Sequence, residues 1–372
     1  MGNKFKDTIE NILTSADIKI NGNNSWDIKV YNDEFYQRVL AHGSLGLGES
    51  YMDGWWNCEA LDQLIDKIFR AKLDEKIKNN WGMLVQSLKA KLLNLQSSSR
   101  LQKVIKQNYN LSAELYMAFL DPYNQYTCGY FKNAEDLNAA QETKLELICK
   151  KLNILPSDKV LDIGCGWGGF AKFAAERFGC HVTGITISDE QFIYAQNYTR
   201  TLPVKIIKQD YRDLEGKYDK ILVCGMIEHV GYKNYRSFFT VVNRCLKDEG
   251  IFLLHTIGSN KSTRHSNPWI DKYIFPNVVV PSIAQIGKAM EGLFVMEDWH
   301  NFAPDYDKTL MLWYDNFENA WSKLKNDYDE RFHRMWKFYL LTEAAAFRSR
   351  VNQLWQIVMT KPGSKQPNCR II

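Results

Sequence analysis

Hydrophobic positions in the second half of the chain alternate between two periods. Short apolar runs of strand length are separated by stretches in which apolar residues recur at helical spacing. In chain order the segments are VLDI, FAKFAAERF, HVTGIT, DEQFIYAQNYT, VKIIKQD, KILVCGM, SFFTVVNRCL and IFLLHTI, with FVMEDWHNF and LWQIVMT as the last two strands. This alternation predicts a parallel sheet with helices on both faces and ligands at the carboxyl ends of the strands.

A glycine turn joins the first of these strands to its helix in VLDIGCGWGGF, Val160 to Phe170. Gly164, Gly166 and Gly168 allow backbone conformations that a Cβ would resist, so the chain can pass close to a ligand. The N–H groups at the start of the following helix then point toward that ligand. A ligand-free turn is an unlikely use for so many closely spaced glycines, and we predict a binding site here.

Two cofactor classes fit a glycine turn of this kind. Gly164, Gly166 and Gly169 satisfy G-x-G-x-x-G, which is also the dinucleotide pattern. A dinucleotide site needs an acidic residue about 20 residues further on, where the next strand ends in Thr186 instead. With Asp162 two residues ahead of the first glycine, the pattern favours an S-adenosylmethionine-binding methyltransferase.

Polar residues stand where the later strands end, at the edge where chemistry is expected. Asp210 and Tyr211 close the third strand, where adenine would lie, and Gln191 begins the helix after the second strand. Glu228 and His229 follow the fourth strand. A satisfied polar residue at a strand end is the more common explanation for any one of them, but their convergence predicts a site.

Three further residues belong to the candidate chemistry. His255 ends the fifth strand, and Cys128 and Tyr306 come from flanking segments. Cys128, Glu228 and His255 are all plausible zinc ligands. Because none of them lies at metal-motif spacing, the sequence does not predict a metal site.

Composition and length bound the class of protein. A chain of 372 residues favours two domains. No apolar run reaches the roughly 18 residues of a membrane span, and the start MGNKFKDTIENIL lacks the apolar region of a signal peptide. The eight cysteines are scattered without a C-x-x-C pair, which predicts a reducing cytoplasm without disulfides or structural zinc. A net charge of +4 does not by itself name a partner.

Three regions are predicted along the chain: a small N-terminal module at 1–80, a basic linker helix at 81–103 and a catalytic module at 104–372. From Lys67 to Lys106 there are ten Lys or Arg residues against two acids. Leucines recur there at roughly helical spacing, at 84, 88, 92, 93 and 95. The segment is therefore predicted either to lie in a membrane interface or to pack the two modules together.

The chain resembles the cyclopropane-fatty-acyl-phospholipid synthases, which belong with the mycolic acid cyclopropane synthases. The matching segments, in family order, are YTCGYF, VLDIGCGWGGF, VTGITIS, QDYRDL, GMIEHVGYKNY, IFLLHTIG, PWIDKYIFPN, VMEDWHNF and YDKTLMLWY. GMIEHVG, PWIDKYIFPN and MEDWHNF are highly specific, whereas GCGWGG alone indicates only the methyltransferase superfamily. One departure is Gly129, where alanine is usual.

The resemblance implies a class I S-adenosylmethionine-dependent methyltransferase fold, which is Rossmann-like α/β, with a smaller N-terminal α+β domain. It also implies that a methylene group from S-adenosylmethionine is added across a cis double bond of a phospholipid acyl chain, with bound bicarbonate as the general base. The implied bicarbonate ligands are Cys128, Glu228, His255, Tyr306 and the backbone at Ile257. The implied cofactor contacts are Tyr126, Gly164, Gly166, Thr186, Ile187, Gln191 and Asp210.

The reaction's own chemistry agrees with that assignment. An alkene is a weak nucleophile, so the site must hold it against the sulfonium methyl group. The resulting cation can be met by aromatic faces, for which Tyr126, Tyr306 and Trp167 are candidates. A base must then remove one proton before the ring closes. The alternatives are a lipid C-methyltransferase without ring closure and a catalytically silent lipid-binding protein.

Partners and location are also expectations of the resemblance. They are unsaturated phospholipids at the membrane surface, a homodimer, and a cytoplasmic protein on the inner face of the membrane. Nothing in the chain points to nucleic acid.

Overall fold

The structure, a computed structural model, describes residues 2–73 and 111–371. The first range contains four helices and two short strands. They are α1 (Gly2–Thr14), β1 (Lys29–Val30), α2 (Glu34–His42), α3 (Ser44–Met52), β2 (Trp56–Asn57) and α4 (Leu61–Arg70). β1 and β2 pair antiparallel as a two-stranded sheet.

The second range begins with the alternating strands and helices that the hydrophobic pattern predicts. They are α5 (Ala113–Phe119), α6 (Leu137–Lys151), β3 (Lys159–Ile163), α7 (Gly169–Phe178), β4 (His181–Thr186), α8 (Asp189–Tyr198), β5 (Val204–Lys208), β6 (Tyr218–Cys224), α9 (Tyr235–Cys245) and β7 (Leu246–Ser259). The remainder comprises α10 (Pro268–Tyr273), α11 (Ile283–Met290), β8 (Val295–Asn301), α12 (Pro304–Leu324), α13 (Glu330–Arg348) and β9 (Asn352–Thr360).

One seven-stranded sheet has the order β5-β4-β3-β6-β7-β9-β8. The five strands from β5 to β7 are parallel neighbours, which confirms the predicted α/β class. β9 differs from the predicted parallel arrangement, because it runs antiparallel to both β7 and β8. Because β9 is antiparallel to β8, it begins at the same end of the sheet at which β8 stops. The chain between β8 and β9 therefore leaves the sheet and returns to it at that end.

Residues of alternating parity along β3 face opposite sides of the sheet. Val160 packs in one apolar cluster with residues of α6 and α7. Leu161 and Ile163 pack in another with residues of α9 and α11. This period-2 pattern places helices on both faces and leaves the strand ends for polar residues.

Contacts divide the chain into two compact units. The sheet unit comprises Ala113–His265, Asn277–Thr309 and Asn352–Ile372, and the N-terminal unit comprises Met1–Ser112, Ser266–Pro276 and Leu310–Val351. The predicted boundaries at 80 and 103 and the predicted basic helix at 81–103 lie outside the described residues. Two segments of the predicted 104–372 module belong to the N-terminal unit, and the domain assignment itself stays a prediction.

Side-chain hydrogen bonds explain why the segments Ser266–Pro276 and Leu310–Val351 belong to the N-terminal unit. Glu49 on α3 accepts from Arg38 at 2.9 Å and also from Lys272 and Tyr273 of the 266–276 segment. Burial opposes ionisation of Glu49, but these donors outweigh it and lower the pKa of the carboxyl. Arg334 on α13 donates to the Tyr51 carbonyl at 2.6 Å. Within the described ranges, no helix is long and apolar enough to cross a membrane.

Candidate active site at the carboxyl edge of the sheet

The glycine turn after β3 has the backbone conformation that the sequence predicts. Gly164, Gly166 and Gly168 have φ values of +83°, +53° and +85°, which favour glycine. A Cβ on Gly164 would lie 2.9 Å from the Met226 side chain, whereas a Cβ on Gly166 would meet nothing within 4 Å. Gly166 therefore borders open space beside the start of α7.

The predicted cofactor residues follow three adjacent strands. Asp162 lies in β3, Thr186 ends β4 and is followed by Ile187, and Asp210 comes shortly after β5. These strands are neighbours in the order β5-β4-β3, so their carboxyl ends share one stretch of the sheet edge. The structure therefore gathers the glycine turn and these polar ends along that edge.

Local hydrogen bonds fix several of these residues. Thr186 Oγ1 donates to Gln191 Oε1 at 2.8 Å, and the Ile187 side chain is 74% exposed. Asp210 accepts from Arg212 Nε at 2.9 Å, and this bond to the guanidinium lowers the pKa of Asp210. Tyr211 packs edge-on against an α9 phenylalanine, with ring centroids 5.2 Å apart.

Asp162 is fully enclosed by protein. Its Oδ2 has no hydrogen-bond partner in the described part of the chain. Burial raises the pKa of Asp162 to about 7, and the ammonium of Lys144 opposes that rise. An acceptor left without a partner at the edge of a glycine turn suits a donor group on a ligand.

Glu228 follows β6, and His255 lies within β7, which continues to Ser259 instead of ending at His255 as the sequence predicts. His255 lies opposite Cys224 in the parallel register, and the Ile257 N–H donates to Glu228 Oε1 at 2.8 Å. Glu228 Oε2 and His255 Nε2 are both buried without a partner among the described residues. The two side chains therefore present an acceptor and a ring nitrogen that no group in residues 2–73 or 111–371 uses.

Burial also controls the charge of this pair. It raises the pKa of Glu228 above the usual glutamate value. It lowers the pKa of His255 well below the usual histidine value, and the ammonium groups of Lys144 and Lys151 lower it further. Gln356 Nε2 lies 3.3 Å from His255 Nδ1. With this amide nitrogen as the donor, the neutral ring would carry its proton on Nε2.

Cys128 and Tyr306 complete the group. Both side chains are buried, and burial raises the pKa of the Cys128 thiol and of the Tyr306 phenol. Negative charge on Cys128, Tyr126 or Glu228 would raise the pKa of Tyr306 further, so each of these three residues lies near Tyr306. The structure thus brings the predicted catalytic residues together, while their roles stay predictions.

A chain of aromatic ring contacts includes Trp167 of the glycine turn. Tyr126 lies edge-on to Tyr116, with centroids 5.1 Å apart, and Tyr116 lies 5.5 Å from Trp167. Trp167 in turn contacts Tyr194 at 5.4 Å. Tyr116 links two rings that the sequence analysis named and was itself missed, although its place in an apolar helix next to YTCGYF was a usable signal.

The loop that carries Cys128 is held by residues that the sequence analysis did not name. Gln141 Nε2 donates to the Thr127 carbonyl at 2.7 Å, and Thr309 Oγ1 accepts from the Gly129 N–H at 3.0 Å. A Cβ on Gly129 would lie 3.1 Å from the Ala140 Cβ, so the departure at this position accompanies close packing. Gln141 lies on the apolar face of α6, and a polar residue at such a position was the available signal.

Metal binding was the competing interpretation of Cys128, Glu228 and His255. In residues 2–73 and 111–371, no three His, Cys, Asp or Glu side chains group as a metal ion would require.

Comparisons with known proteins agree with the fold class. The crystal structure of mycolic acid cyclopropane synthase CmaA1 complexed with SAH and CTAB is 27% identical and has a TM-score of 0.64. It covers 69% of this chain and 97% of that one. The protein therefore has the class I S-adenosylmethionine-dependent methyltransferase fold.

Sequence comparisons are more specific. The profile of the mycolic acid cyclopropane synthetase family matches residues 96–357. The cyclopropane-fatty-acyl-phospholipid synthase of Escherichia coli strain K12 is 51% identical over 350 residues, which are 94% of this chain and 92% of that one. A tuberculostearic acid methyltransferase of Mycobacterium tuberculosis is 31% identical over 89% of this chain and 82% of its own. The chain belongs to the mycolic acid cyclopropane synthetase family and is an enzyme of the cyclopropane synthase type.

Proposed function

We propose that this enzyme transfers a methylene group from S-adenosylmethionine to the cis double bond of unsaturated acyl chains in membrane phospholipids. The products are a cyclopropane ring and S-adenosylhomocysteine. One observation carries the proposal: among the described residues Glu228 Oε2 and His255 Nε2 are buried without a hydrogen-bond partner, and Glu228 lies near Tyr306. The E. coli synthase matches 94% of the chain.

The ring nitrogen of His255 and the carboxylate oxygen of Glu228 fit a small oxyanion. The His255 Nε2–H suits an anionic oxygen, and Glu228 Oε2 suits a hydroxyl donor. Bicarbonate offers both groups. We therefore propose that Glu228, His255, Cys128 and Tyr306 hold bicarbonate. The Ile257 N–H, which the resemblance implies as a further ligand, donates to Glu228 instead and orients that carboxylate.

The cofactor assignment rests on the strand ends. Asp162 Oδ2 offers a buried acceptor, and Gly166 leaves open space at the turn. The remaining proposed contacts are Tyr126, Gly164, Thr186, Ile187, Gln191, Asp210 and Tyr211. When bound, S-adenosylmethionine supplies an electrophilic methyl group, and bicarbonate supplies the base for the proton that leaves before ring closure.

The chain's own residues prepare the site for that chemistry. Burial excludes water, which would otherwise capture positive charge developing on the substrate. The faces of Tyr126, Tyr306 and Trp167 offer such charge a favourable environment. The neutral thiol of Cys128 and the neutral ring of His255 add no negative charge that would compete with the base.

The proposal predicts a dependence on acyl unsaturation. With S-adenosylmethionine present, vesicles of cis-unsaturated phospholipid should release S-adenosylhomocysteine, and matched saturated vesicles should not. Release that is equal with both lipids would contradict the proposed acceptor. The alternative activity is that of a C-methyltransferase without ring closure. The similarity of the chain to a tuberculostearic acid methyltransferase supports this alternative. Ring protons in the NMR spectrum of the product distinguish the two.

Gly166→Val should abolish S-adenosylmethionine binding while the fold survives. A valine at this φ costs on the order of 1–2 kcal/mol, and its side chain enters the open space of the proposed cofactor site. Calorimetry measures the binding, and circular dichroism checks the fold. Gly179→Val is the matched control, because Gly179 has φ +69° at the far end of α7 and only Pro156 nearby. Persistent binding in Gly166→Val would mean that the pocket lies elsewhere.

We also propose peripheral association with the inner face of the membrane, as a homodimer that sedimentation equilibrium can test. The basic segment Lys67–Lys106 lies mostly outside the described residues, so this part of the proposal rests on the sequence. Near an anionic surface each Lys or Arg contributes about 1 kcal/mol.

Glutamate at Lys89, Lys91 and Lys103 together should abolish sedimentation with anionic vesicles. High salt should weaken binding of the wild-type chain, since screening shortens to about 3 Å at 1 M ionic strength. Turnover on detergent-dispersed lipid should survive the triple change. Unchanged vesicle binding would instead assign the segment to packing between modules.

A further inference from the structure

Lys144 is a charged residue enclosed in the sheet unit that the mechanism above does not use. It lies in the middle of α6 and is 0% exposed. Removing an ammonium from water is unfavourable unless the protein or a ligand compensates the charge. The structure should therefore contain, or leave room for, a group that does so.

The side chains that accept hydrogen bonds from Lys144 are neutral. Its Nζ donates to Gln125 Oε1 at 2.6 Å and to Thr127 Oγ1 at 2.9 Å. No carboxylate among the described residues lies within ion-pair distance of this ammonium, whereas Lys151 on the same helix pairs with Asp298 at 3.2 Å. An ammonium has three donors, so one N–H of Lys144 remains for another acceptor. The buried carboxyls of Asp121 and Asp162 interact with its charge at longer range, without an ion pair.

The position of Lys144 connects it to the site. Gln125 and Thr127 flank Tyr126 and lead directly to Cys128, so the two hydrogen bonds fix the loop that carries both residues. The ammonium is also close enough to disfavour protonation of His255 and Asp162. Its positive charge thus acts on His255, whose Nε2 has no hydrogen-bond partner among the described residues.

A bound anion beside Glu228 poses an electrostatic problem. Two negative charges close together in a buried site repel, and one of them takes up a proton unless a cation compensates. A protonated base cannot accept the proton that must leave the substrate. The site therefore needs a buried positive charge if both groups are to stay ionised.

We propose that Lys144 is a positioning residue and the countercharge of the anion site, holding the Gln125–Cys128 loop and stabilising bicarbonate beside Glu228. The inference rests on the proposed function. It assigns Lys144 no contact with the reacting carbon atoms.

The test measures binding of ¹³C-bicarbonate by NMR, with bicarbonate-dependent turnover as a second readout. Lys144→Met should raise the dissociation constant for bicarbonate roughly tenfold or more, as expected for loss of a buried charge partner. High bicarbonate should restore part of the turnover. Lys151→Met is the matched control on the same helix. Lys151 also lowers the pKa of His255, but its charge is compensated by Asp298 at 3.2 Å, so bicarbonate affinity should fall far less than in Lys144→Met while the melting temperature decreases.

Gln125→Glu is a second test of the Lys144 charge, which serves if Lys144→Met does not fold. It preserves side-chain shape but places a carboxylate next to the Lys144 ammonium, which cancels the positive field. Bicarbonate affinity should fall in this variant too. A purely structural lysine would tolerate the new ion pair without any change in affinity.

If the folded Lys144→Met or Gln125→Glu variant bound bicarbonate with wild-type affinity, the role assigned to Lys144 would be overturned. The proposed function would be unaffected by that result. A wild-type chain that binds bicarbonate but forms no cyclopropane lipid would overturn the proposed function, and with it the countercharge role in that reaction.

Discussion

Glu228→Gln should lower turnover by roughly 10²-fold or more, the scale of lost acid–base catalysis. Glutamine keeps the shape of the side chain and an oxygen for the Ile257 N–H, but it has no negative charge. At the position of Oε2 it cannot hold the proposed bicarbonate in the same way. S-adenosylmethionine affinity should barely move, because the cofactor residues follow β3, β4 and β5 instead.

The pH dependence provides the control for this variant. Burial raises the pKa of Glu228, so as pH falls the wild-type carboxylate is protonated earlier than an ordinary glutamate. Wild-type turnover should therefore decrease on the acid side at a higher pH than an exposed carboxylate would give. Glutamine mimics the protonated form at every pH and should lack that decrease. Near-normal turnover in Glu228→Gln would remove the role assigned to Glu228.

Cys128→Ser should also lower turnover by roughly 10²-fold, again on the scale of lost acid–base catalysis. The thiol is buried and neutral, and Thr309 Oγ1 lies 3.9 Å from its sulfur. A serine oxygen sits closer to its own backbone than sulfur does, so the proposed contact with the ion lengthens. Steady-state kinetics on vesicle substrate measures the loss.

Cys149→Ser is the matched control, because Cys149 is equally buried on α6 but packs in an apolar cluster away from the strand ends. Its turnover should stay close to wild type once any loss of stability is corrected. A similar loss in both variants would mean that buried cysteines matter here for packing only.

The sequence predicted the features that follow from local backbone physics. Positive φ at Gly164, Gly166 and Gly168 was predictable because few other residues tolerate it. The parallel order from β3 to β7 followed from alternating strand and helix periods. The direction of β9 did not, since a short apolar run carries no information about which end enters the sheet.

The site was predictable only in part. Parallel strands bring their carboxyl ends together, so Glu228 and His255 could be expected near one another. Cys128 and Tyr306 were available only as residues of flanking segments until the family resemblance gave them a role, because their loop and helix lie outside the strand alternation. The neutral partners of Lys144 and the hydrogen bond from Ile257 to Glu228 depend on three-dimensional packing, which spacing in one chain does not reveal.

The most direct test of the account follows the transferred carbon itself. Purified enzyme is incubated with S-adenosylmethionine labelled with ¹³C at the methyl group, bicarbonate and vesicles of cis-unsaturated phospholipid. We predict that the label appears as a CH₂ group of a cyclopropane ring in the NMR spectrum of the extracted lipid. Label in a methyl branch would make the enzyme a C-methyltransferase without ring closure, and unlabelled lipid would contradict catalysis on this substrate altogether.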